Sequence, residues 1–282
     1  MNHYQNSTNK LFLKPSLNEE GRKVYFLEQE DVDKNLKASC LPIIETEEQT
    51  KKEEGTKVAL LLTRDRSPFS GKDAYSMPET LIDSLRLFGL EPVLMFYEQI
   101  EEQLKRTNLK GVLLPGGDFA LPEEWCLFQA AHPKNELRMR AYLACLEAAK
   151  ANHWPLLGIC AGMQMLGGFC GAKITRVNNH RGVVKEFAHN IHISKDSLLY
   201  QITGLEQTQV NSNHSEAISR EHLGDCILSA VADDNTVEAI EIKNPWTSFV
   251  VGIQSHPEYF VKKGDEFAVN LFKSFAEACK NV

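Results

Sequence analysis

Short apolar segments that alternate with helical patterns constrain the fold of this 282-residue chain more than any other feature. Four such segments, which are apolar along most of their length, are separated by stretches of helical periodicity: VALLLT (58–63), EPVLMF (91–96), GVLLPGG (111–117) and PLLGIC (155–160). Strands that are apolar throughout are typical of parallel strands covered by helices. The pattern therefore predicts an α/β doubly wound fold, with a mostly parallel sheet and helices on both of its faces.

The second half of the chain follows a different pattern. Six short segments succeed one another with turns rather than helices between them: AKITRV, NIHIS, TQVNS, CILSAVADD, TVEAIEIK and SFVVGIQS. This spacing predicts strands that complete the sheet and add an antiparallel β segment. Asp234 and Asn235 are suited to the positive-φ positions of a two-residue hairpin loop. The last stretch predicts an amphipathic helix with Phe267, Leu271 and Phe275 on its core face.

Residues 1–56 differ in composition from the rest of the chain. They are polar and end in the mixed-charge run ETEEQTKKEEGTK, which is typical of a solvated linker. Within them, GRKVYFLEQ is compatible with one strand or a docking segment. We therefore expect a polar N-terminal extension or linker over 1–56 and one α/β domain over 57–282.

Charge and cysteine content argue against several classes of protein. The formal net charge is −7, and no basic block is present that could follow a phosphate backbone, so we expect no nucleic-acid partner. The first residues lack the apolar core of a secretory signal, and no segment approaches the length of a membrane span, so we expect a cytoplasmic protein without a membrane partner. Seven cysteines without a CxxC pair fit neither a disulfide framework nor a zinc ribbon.

One of these cysteines lies in a motif that indicates nucleophilic chemistry. Gly158-Ile159-Cys160-Ala161-Gly162 matches the strand-turn-helix pattern G-x-S-x-G, with a thiol in the serine position. A helix that starts at such a turn offers backbone N–H groups and a positive dipole end, which favour a thiolate and a developing oxyanion. The alternative is a buried cysteine that packs behind a glycine turn, and the motif alone does not decide between the two.

A second motif, near the C-terminus, supplies the groups that would activate the thiol. In VVGIQSHPEYF, His256 and Glu258 follow an apolar strand, and residues two apart in an extended segment point to the same side. Glu258 could therefore orient the imidazole of His256 and stabilise its protonated form. Most His-Pro-Glu tripeptides are surface turns, so the prediction depends on the buried strand before it and on the cysteine motif.

A third motif, LLPGGDF (113–119), ends a predicted strand in two glycines. Backbone N–H groups at such a turn can face outward at the carboxyl edge of a parallel sheet, where ligands bind in these folds. We predict that Gly117, helped by Gly116, forms an oxyanion hole with the N–H of Ala161. An ordinary turn at the end of a strand is the alternative interpretation.

Taken together, PGG, GICAGMQ and GIQSHPE, in this order and at these separations, resemble the class I glutamine amidotransferase-like superfamily and its flavodoxin-like fold. Within it, the peptidase C26 branch of γ-glutamyl hydrolases and γ-glutamyl-γ-aminobutyrate hydrolases is most similar. The resemblance covers roughly residues 57 to 280 and implies cleavage of a γ-glutamyl amide through a glutamyl-thioester. It assigns Cys160 as nucleophile, His256 as general base and acid, and Glu258 as its partner.

The resemblance also implies which residues contact the substrate. VNSNHSEAI (210–218) is similar to the branch motif V-N-S-x-H-H-Q-A-I, which places Asn211, Ser212 and His214 along the substrate cleft. Gln164, in the C-x-G-x-Q pattern, would help to hold the glutamyl group. The chain departs from the family in having Ser215 for the second histidine, Glu216 for glutamine, and Ala161 where a larger residue is common. These departures leave the leaving-group preference open.

Three further histidines, His180, His189 and His192, lie in one stretch, but their spacing matches no recognised metal motif. The thiol mechanism needs no ion, so we expect neither a metal nor a cofactor. The leading hypothesis is a hydrolase that acts alone on glutamine or a small γ-glutamyl compound. The alternatives are a glutaminase subunit that delivers ammonia to a separate synthase, and a non-catalytic binding module. A homodimer and a protein partner for residues 1–56 both remain open.

Overall fold

The computed structural model describes residues 10–17, 23–37, 43–46, 55–106, 108–117, 121–129 and 136–282. In these ranges the strands are β1 (Lys10–Leu17), β2 (Lys23–Leu27), β3 (Ile43–Thr46), β4 (Thr56–Leu61), β5 (Thr63–Arg66), β6 (Asp73–Pro78), β7 (Leu90–Met95), β8 (Val112–Leu114), β9 (Leu156–Ile159), β10 (Ile174–Arg176), β11 (His189–Ile193), β12 (Gln207–Val210), β13 (Glu216–Ile218), β14 (Cys226–Ala232), β15 (Val237–Ile242) and β16 (Val250–Ile253). The helices are α1 (Gln29–Lys37), α2 (Glu79–Leu87), α3 (Ile100–Arg106), α4 (Glu136–Ala151), α5 (Ala161–Phe169), α6 (Leu198–Thr203) and α7 (Glu266–Lys280).

A nine-stranded sheet forms the centre of the molecule, with the strand order β12-β11-β14-β15-β16-β9-β8-β4-β7. The strands from β16 to β7 run parallel to their neighbours, and those from β12 to β16 pair antiparallel. The continuously apolar segments of the sequence form the parallel part, because their side chains are buried on both faces of the sheet. The prediction of an α/β fold with a parallel core and an added antiparallel segment is confirmed.

The C-terminal helix α7 shows why the apolar periodicity of the sequence was informative. Asp265 caps the helix by accepting a hydrogen bond from the backbone N–H of Ala268, at 2.9 Å. Phe267, Leu271 and Phe275 are buried, as their spacing predicted. The helix therefore buries its apolar face in the core.

The N-terminal residues are more structured than their average composition suggested. Strand β2 pairs antiparallel with β6, in a second, five-stranded sheet of the order β3-β1-β2-β6-β5. Tyr25, Phe26 and Leu27 are buried there. This differs from the expectation of a solvated linker over 1–56, because one short apolar segment is enough to dock a strand although the polar residues around it dominate the composition. Residues 47–54, most of the charged run, lie outside the described residues.

Two local predictions also differ from the structure. The stretch after β11 was expected to be a turn but contains helix α6, whose N-terminus is capped by Ser197 Oγ accepting from the backbone N–H of Tyr200 at 3.0 Å. At the β14–β15 hairpin, Asp234 and Asn235 were both expected at positive-φ positions, but of the two only Asn235 has a positive φ, of 70°. The Asp234 carboxylate accepts a hydrogen bond from the backbone N–H of Thr236. Over the ranges given above, no helix combines the length and apolarity needed to cross a bilayer.

Candidate active site

Three adjacent parallel strands end at one edge of the central sheet. In the order β16-β9-β8, Gly252 lies opposite Gly158, and Gly158 lies opposite Leu114. The segments that follow these three strands carry His256, Cys160 and the glycine turn after Leu114, respectively. The topology therefore brings the three sequence motifs together, although they are far apart along the chain.

Cys160 occupies a strained turn between β9 and α5. Its φ of 51° and ψ of −107° are unfavourable for a residue with a Cβ atom. The backbone N–H of Cys160 donates a 2.7 Å hydrogen bond to the carbonyl of Ile253, which ties the turn to β16. The neighbouring strand thus holds the thiol at the start of α5, as the strand-turn-helix motif predicts.

The two glycines of this motif are required by close packing around the turn. A Cβ atom at Gly158 would lie 2.7 Å from the carbonyl oxygen of Gly162. A Cβ atom at Gly162 would overlap the carbonyl oxygen of Leu114 on β8. Helix α5 can therefore start directly above the sheet only because both positions lack a side chain.

His256 and Glu258 form a hydrogen-bonded pair beside the thiol. His256 Nδ1 lies 2.9 Å from Glu258 Oε1, and the Glu258 side chain is only 3 % exposed. The pair lies on a 3-10 turn, Pro257–Tyr259, rather than in the extended segment assumed from the sequence. With its Nδ1 proton held by the carboxylate, the ring presents Nε2 as its second functional nitrogen.

The imidazole of His256 and the thiol of Cys160 meet over Gly116. A Cβ atom at Gly116 would lie 2.6 Å from His256 Cε1 and 3.1 Å from Cys160 Cβ. Burial disfavours the protonated imidazole, but the charges of Glu258 and Cys160 and the hydrogen bonds with both raise the pKa of His256 well above its usual value. The arrangement therefore favours a protonated imidazole next to the sulfur of Cys160.

A buried arginine on α4, which sequence reasoning missed, supports the glycine turn. Arg138 is 1 % exposed, and its Nη2 donates to the carbonyl of Gly116 at 3.5 Å and to Tyr142 Oη at 3.3 Å. Burial raises the pKa of Tyr142, which donates a 2.9 Å hydrogen bond to the carbonyl of Pro115. A Cβ atom at Gly117, where φ is 135°, would lie 2.5 Å from Arg138 Nη2. One signal in the sequence could have revealed this contact: Arg138 and Tyr142 are four residues apart and therefore lie on the same face of α4.

A pocket opens above Cys160 and contains part of the predicted set. Its lining residues are Gly117, Cys160, Ala161, Gln164, Arg181, Asn213, His214, Ser215, Glu216 and His256. Gln164 Nε2 donates to the carbonyl of Glu216 at 2.7 Å and to Gln254 Oε1 at 3.2 Å, and Gln254 Nε2 lies 3.6 Å from the sulfur of Cys160. Gln164 therefore joins the helix after the thiol to the opposite wall.

Asn211 and Ser212 lie behind this wall, and both are buried. Asn211 Oδ1 accepts from the backbone N–H of His256 at 2.8 Å, and its Nδ2 donates to the His256 carbonyl at 3.0 Å. Ser212 Oγ donates to the carbonyl of His180 at 2.8 Å. Asn211 thus supports the His256 backbone, whereas the sequence had placed it along the substrate cleft.

The structure separates the three histidines that were considered together in the sequence. His192 is exposed, with Nε2 2.7 Å from Asp233 Oδ1. His180 and His189 lie instead beside the buried Glu238, which the sequence analysis had not considered. The spacing along the chain did not reveal this grouping, because Glu238 is contributed by a different strand.

The chain is similar to proteins of one family. A model of the peptidase C26 family matches residues 58–258. A protein of Rickettsia prowazekii named as glutamine amidotransferase-like is 27 % identical over 263 residues, covering 74 % of this chain and 90 % of that protein. A protein of Lactococcus lactis with a similar name is 26 % identical over 232 residues, covering 76 % and 93 %.

Two solved structures share the fold. The glutaminase domain of Trypanosoma brucei CTPS with bound acivicin has a TM-score of 0.58 at 17 % identity, covering 80 % of this chain and 94 % of that one. A protein of Thermoplasma acidophilum described as one subunit of a GMP synthase has a TM-score of 0.56 at 16 % identity, covering 82 % and 96 %. The family model spans well over half of the sequence, and the chain therefore belongs to the peptidase C26 family.

Proposed function

We propose that this chain hydrolyses γ-glutamyl amides, with Cys160 as the nucleophile, His256 as the general base and acid, and Glu258 as the residue that orients the imidazole. Membership of the family supports a cysteine hydrolase that acts on glutamine-type amides. The observation that carries the proposal is the strained turn that holds Cys160 beside His256, whose Nδ1 is bound to Glu258.

The reaction follows from these positions. The thiolate of Cys160 attacks the γ-carbonyl carbon, and the negative charge that develops on oxygen is stabilised by the N–H groups proposed at Gly117 and Ala161. The imidazolium of His256 protonates the nitrogen of the leaving amine, the C–N bond breaks, and a glutamyl-thioester remains. His256 then removes a proton from water, and the hydroxide attacks the thioester carbonyl. The C–S bond breaks, which releases glutamate and restores the thiolate of Cys160 beside protonated His256.

The charges around the pocket suit a γ-glutamyl group. Arg181 is exposed at the pocket, and Glu216 lines it with the opposite charge. An α-amino acid end carries one carboxylate and one ammonium group, so we propose that Arg181 faces the carboxylate and Glu216 the ammonium. The glutamate that replaces the family's glutamine at position 216 then has a direct role in selecting the substrate.

The experiment that tests the proposal measures product release from γ-glutamyl-p-nitroanilide and from glutamine by the purified chain. We expect turnover by the wild-type chain and a loss of at least about 10³-fold in Cys160→Ser, with the fold unchanged. Cys126→Ser, which alters a half-buried cysteine that donates to the carbonyl of Pro122, is the matched control and should keep full activity. Hydroxylamine should trap the thioester as a γ-glutamyl hydroxamate, and equal activity in Cys160→Ser would refute the site.

A second candidate function is a glutaminase subunit that passes ammonia to a separate synthase. The observation that favours it is the set of solved relatives, which are described as a glutaminase domain and as a synthase subunit. A subunit of this kind would release ammonia from glutamine only when its partner is added, whereas a hydrolase would act alone. A folded wild-type chain that processes neither substrate under either condition would favour the non-catalytic binding module.

A further inference from the structure

Next to the active site, three histidines converge on one buried carboxylate. His180 Nδ1, His189 Nε2 and His214 Nε2 lie 3.4, 3.3 and 3.5 Å from the same atom, Glu238 Oε1. The rings are close to each other as well, since the centroid of His180 is 4.7 Å from those of His189 and His214. These side chains come from separate segments, and only His189 and Glu238 lie on strands, β11 and β15.

The cluster is buried except for His189, whose side chain is 18 % exposed, and several of its polar atoms lack hydrogen bonds. The exposed fractions are 3 % for His180, 5 % for His214 and 1 % for Glu238. Within the described part of the chain, neither oxygen of Glu238 makes a hydrogen bond, nor does Nε2 of His189 or of His214. A buried carboxylate without hydrogen bonds is costly, because its desolvation is not compensated. The arrangement therefore calls for a positive charge between these atoms.

The outer nitrogens of two rings already have acceptors. His214 Nδ1 lies 3.1 Å from the carbonyl of Glu216, and His180 Nε2 lies 3.0 Å from Asp234 Oδ2. A neutral ring that donates through its outer nitrogen turns the lone pair of its inner nitrogen toward Glu238. Metal-bound histidines are oriented in this same way, by a backbone carbonyl or a carboxylate on the other ring nitrogen. Ser212 Oγ lies 3.3 Å from His180 Nδ1 but gives its proton to the His180 carbonyl.

The distances fit a small tetrahedral cation. Metal–ligand bonds of about 2.0–2.1 Å in a tetrahedron separate neighbouring ligand atoms by about 3.3 Å. His180 Nδ1 and His189 Nε2 lie at close to this distance, 3.4 and 3.3 Å, from Glu238 Oε1. The ligand atoms of His180, His189 and Glu238 all lie within 4.8 Å of one another. Imidazole nitrogens with one carboxylate oxygen are a donor set suited to Zn²⁺ and related divalent transition metals.

We propose that His180, His189 and Glu238 form a binding site for one divalent transition-metal ion of the zinc class, beside the wall of the pocket, with water as the fourth ligand. The role of the ion is positional, since none of the three residues belongs to the proposed Cys160–His256–Glu258 set. His214 lines the pocket, and the Glu216 carbonyl that it faces also accepts from Gln164. Because His214 Nε2 lies 3.5 Å from Glu238 Oε1, an ion held by Glu238 would also fix the wall that faces the thiol.

Cobalt provides a direct spectroscopic test with the full chain. After treatment with a chelator, the wild-type protein is titrated with Co²⁺, and the visible absorption is recorded. We expect one Co²⁺ per chain, an intense tetrahedral ligand-field band, no thiolate-to-cobalt charge-transfer band, and displacement by Zn²⁺. Glu238→Gln and His189→Ala should each weaken binding by more than about 100-fold, since losses in the surrounding shell alone cost about 10–100-fold.

Two variants serve as controls. His192→Ala removes an exposed histidine from the same strand as His189, and Cys160→Ser removes the thiol, and both should bind Co²⁺ like the wild type. Binding below one equivalent in the wild type, equal binding in Glu238→Gln, or a thiolate band that disappears in Cys160→Ser would each overturn the proposal. If circular dichroism shows that the ligand variants do not fold, the stoichiometry and absorption bands of the wild-type protein with Co²⁺ test the proposal. Because activity is not measured, this test is separate from that of the proposed hydrolase.

Discussion

Two buried carboxylates face imidazoles in this protein, and the geometry of the two contacts differs. Glu258 lies 2.9 Å from a single ring nitrogen, that of His256, and makes a hydrogen bond to it. Glu238 lies 3.3–3.5 Å from nitrogens of three rings, and its oxygens make no hydrogen bond to any described residue. The same residue types thus form an orienting pair at one site, and at the other a cage made of His180, His189, His214 and Glu238.

The difference shows that the effect of a carboxylate on an imidazole depends on how many rings surround the carboxylate and on how far their nitrogens lie from its oxygen. One acceptor at hydrogen-bond distance fixes the tautomer of His256 and stabilises its protonated form, which suits proton transfer. Several ring nitrogens that face one carboxylate oxygen without a hydrogen bond to it suit a bound cation instead. Substitutions at each site can break or sharpen this comparison.

The largest effect is expected at the orienting pair itself. His256→Ala removes the group that transfers protons, so kcat/KM for γ-glutamyl-p-nitroanilide should fall by about 10⁴-fold or more. Co²⁺ binding at the other site should be unchanged, because His256 is not among the three proposed ligands. Residual activity within tenfold of the wild type would contradict the role given to His256.

A smaller loss is expected when the ring remains and its partner is neutralised. Glu258→Gln should lower kcat by about 10²–10³-fold, because the ring loses its orientation and the charge that stabilises the imidazolium. The charge of Glu258 raises the pKa of His256, so without it the ring loses its proton at a lower pH. The alkaline limb of the pH profile of kcat/KM should therefore shift to lower pH. An unshifted limb would show that Glu258 does not set this pKa.

A substitution of Arg138 tests whether the proposed catalytic site depends on a buried charge other than those of Glu258 and Glu238. Arg138→Gln removes the guanidinium behind the glycine turn, and we expect kcat to fall by about tenfold with little change in KM, because the proposed oxyanion donors lose their support. Arg140→Gln, two residues along the same helix, removes an exposed ion pair with Glu101 and should have no such effect. Equal losses in both variants would indicate a general effect on the helix.

The smallest effect is expected at His192, whose ring faces a carboxylate at the surface. The pair with Asp233 is half-exposed, so His192→Ala should change the free energy of unfolding by less than about 1 kcal/mol. Urea denaturation measures this change, and activity and Co²⁺ binding should both stay at wild-type levels. A larger destabilisation would mean that the exposed His192–Asp233 pair contributes to stability as much as a buried one.

The residues proposed for catalysis were more accessible to sequence reasoning than those around Glu238. Each of their motifs is local: a cysteine between glycines, a histidine two residues before a glutamate, and a glycine pair after a strand. The parallel topology explains why local signals suffice, since the segments after adjacent strands must meet at one edge of the sheet. The wrong detail, an extended His-Pro-Glu segment instead of a 3-10 turn, did not change which side chains meet.

The cage and the supports of the site could not be found in this way. His180, His189, His214 and Glu238 have no common spacing, and Glu238 in the apolar strand TVEAIEIK has the appearance of a solvent-facing residue. Arg138 has the appearance of a surface residue on a helix, yet it is buried behind the glycine turn. The strand β2 differs, since GRKVYFLEQ was recognised as compatible with one strand, and only its pairing with β6 was left for the tertiary structure to show.

By itself, the sequence determined the α/β class, the succession of apolar strands and helices along the chain, and the identity of the strained cysteine. It could do so because apolar periodicity and the steric demand for glycine act over a few residues. Only the tertiary structure decided that Asn211 supports the backbone of His256, that Arg138 lies under the glycine turn, and that three histidines surround Glu238. Those contacts depend on how strands and loops distant in the chain are brought together, and burial then sets the energetic cost of every charge and lone pair enclosed.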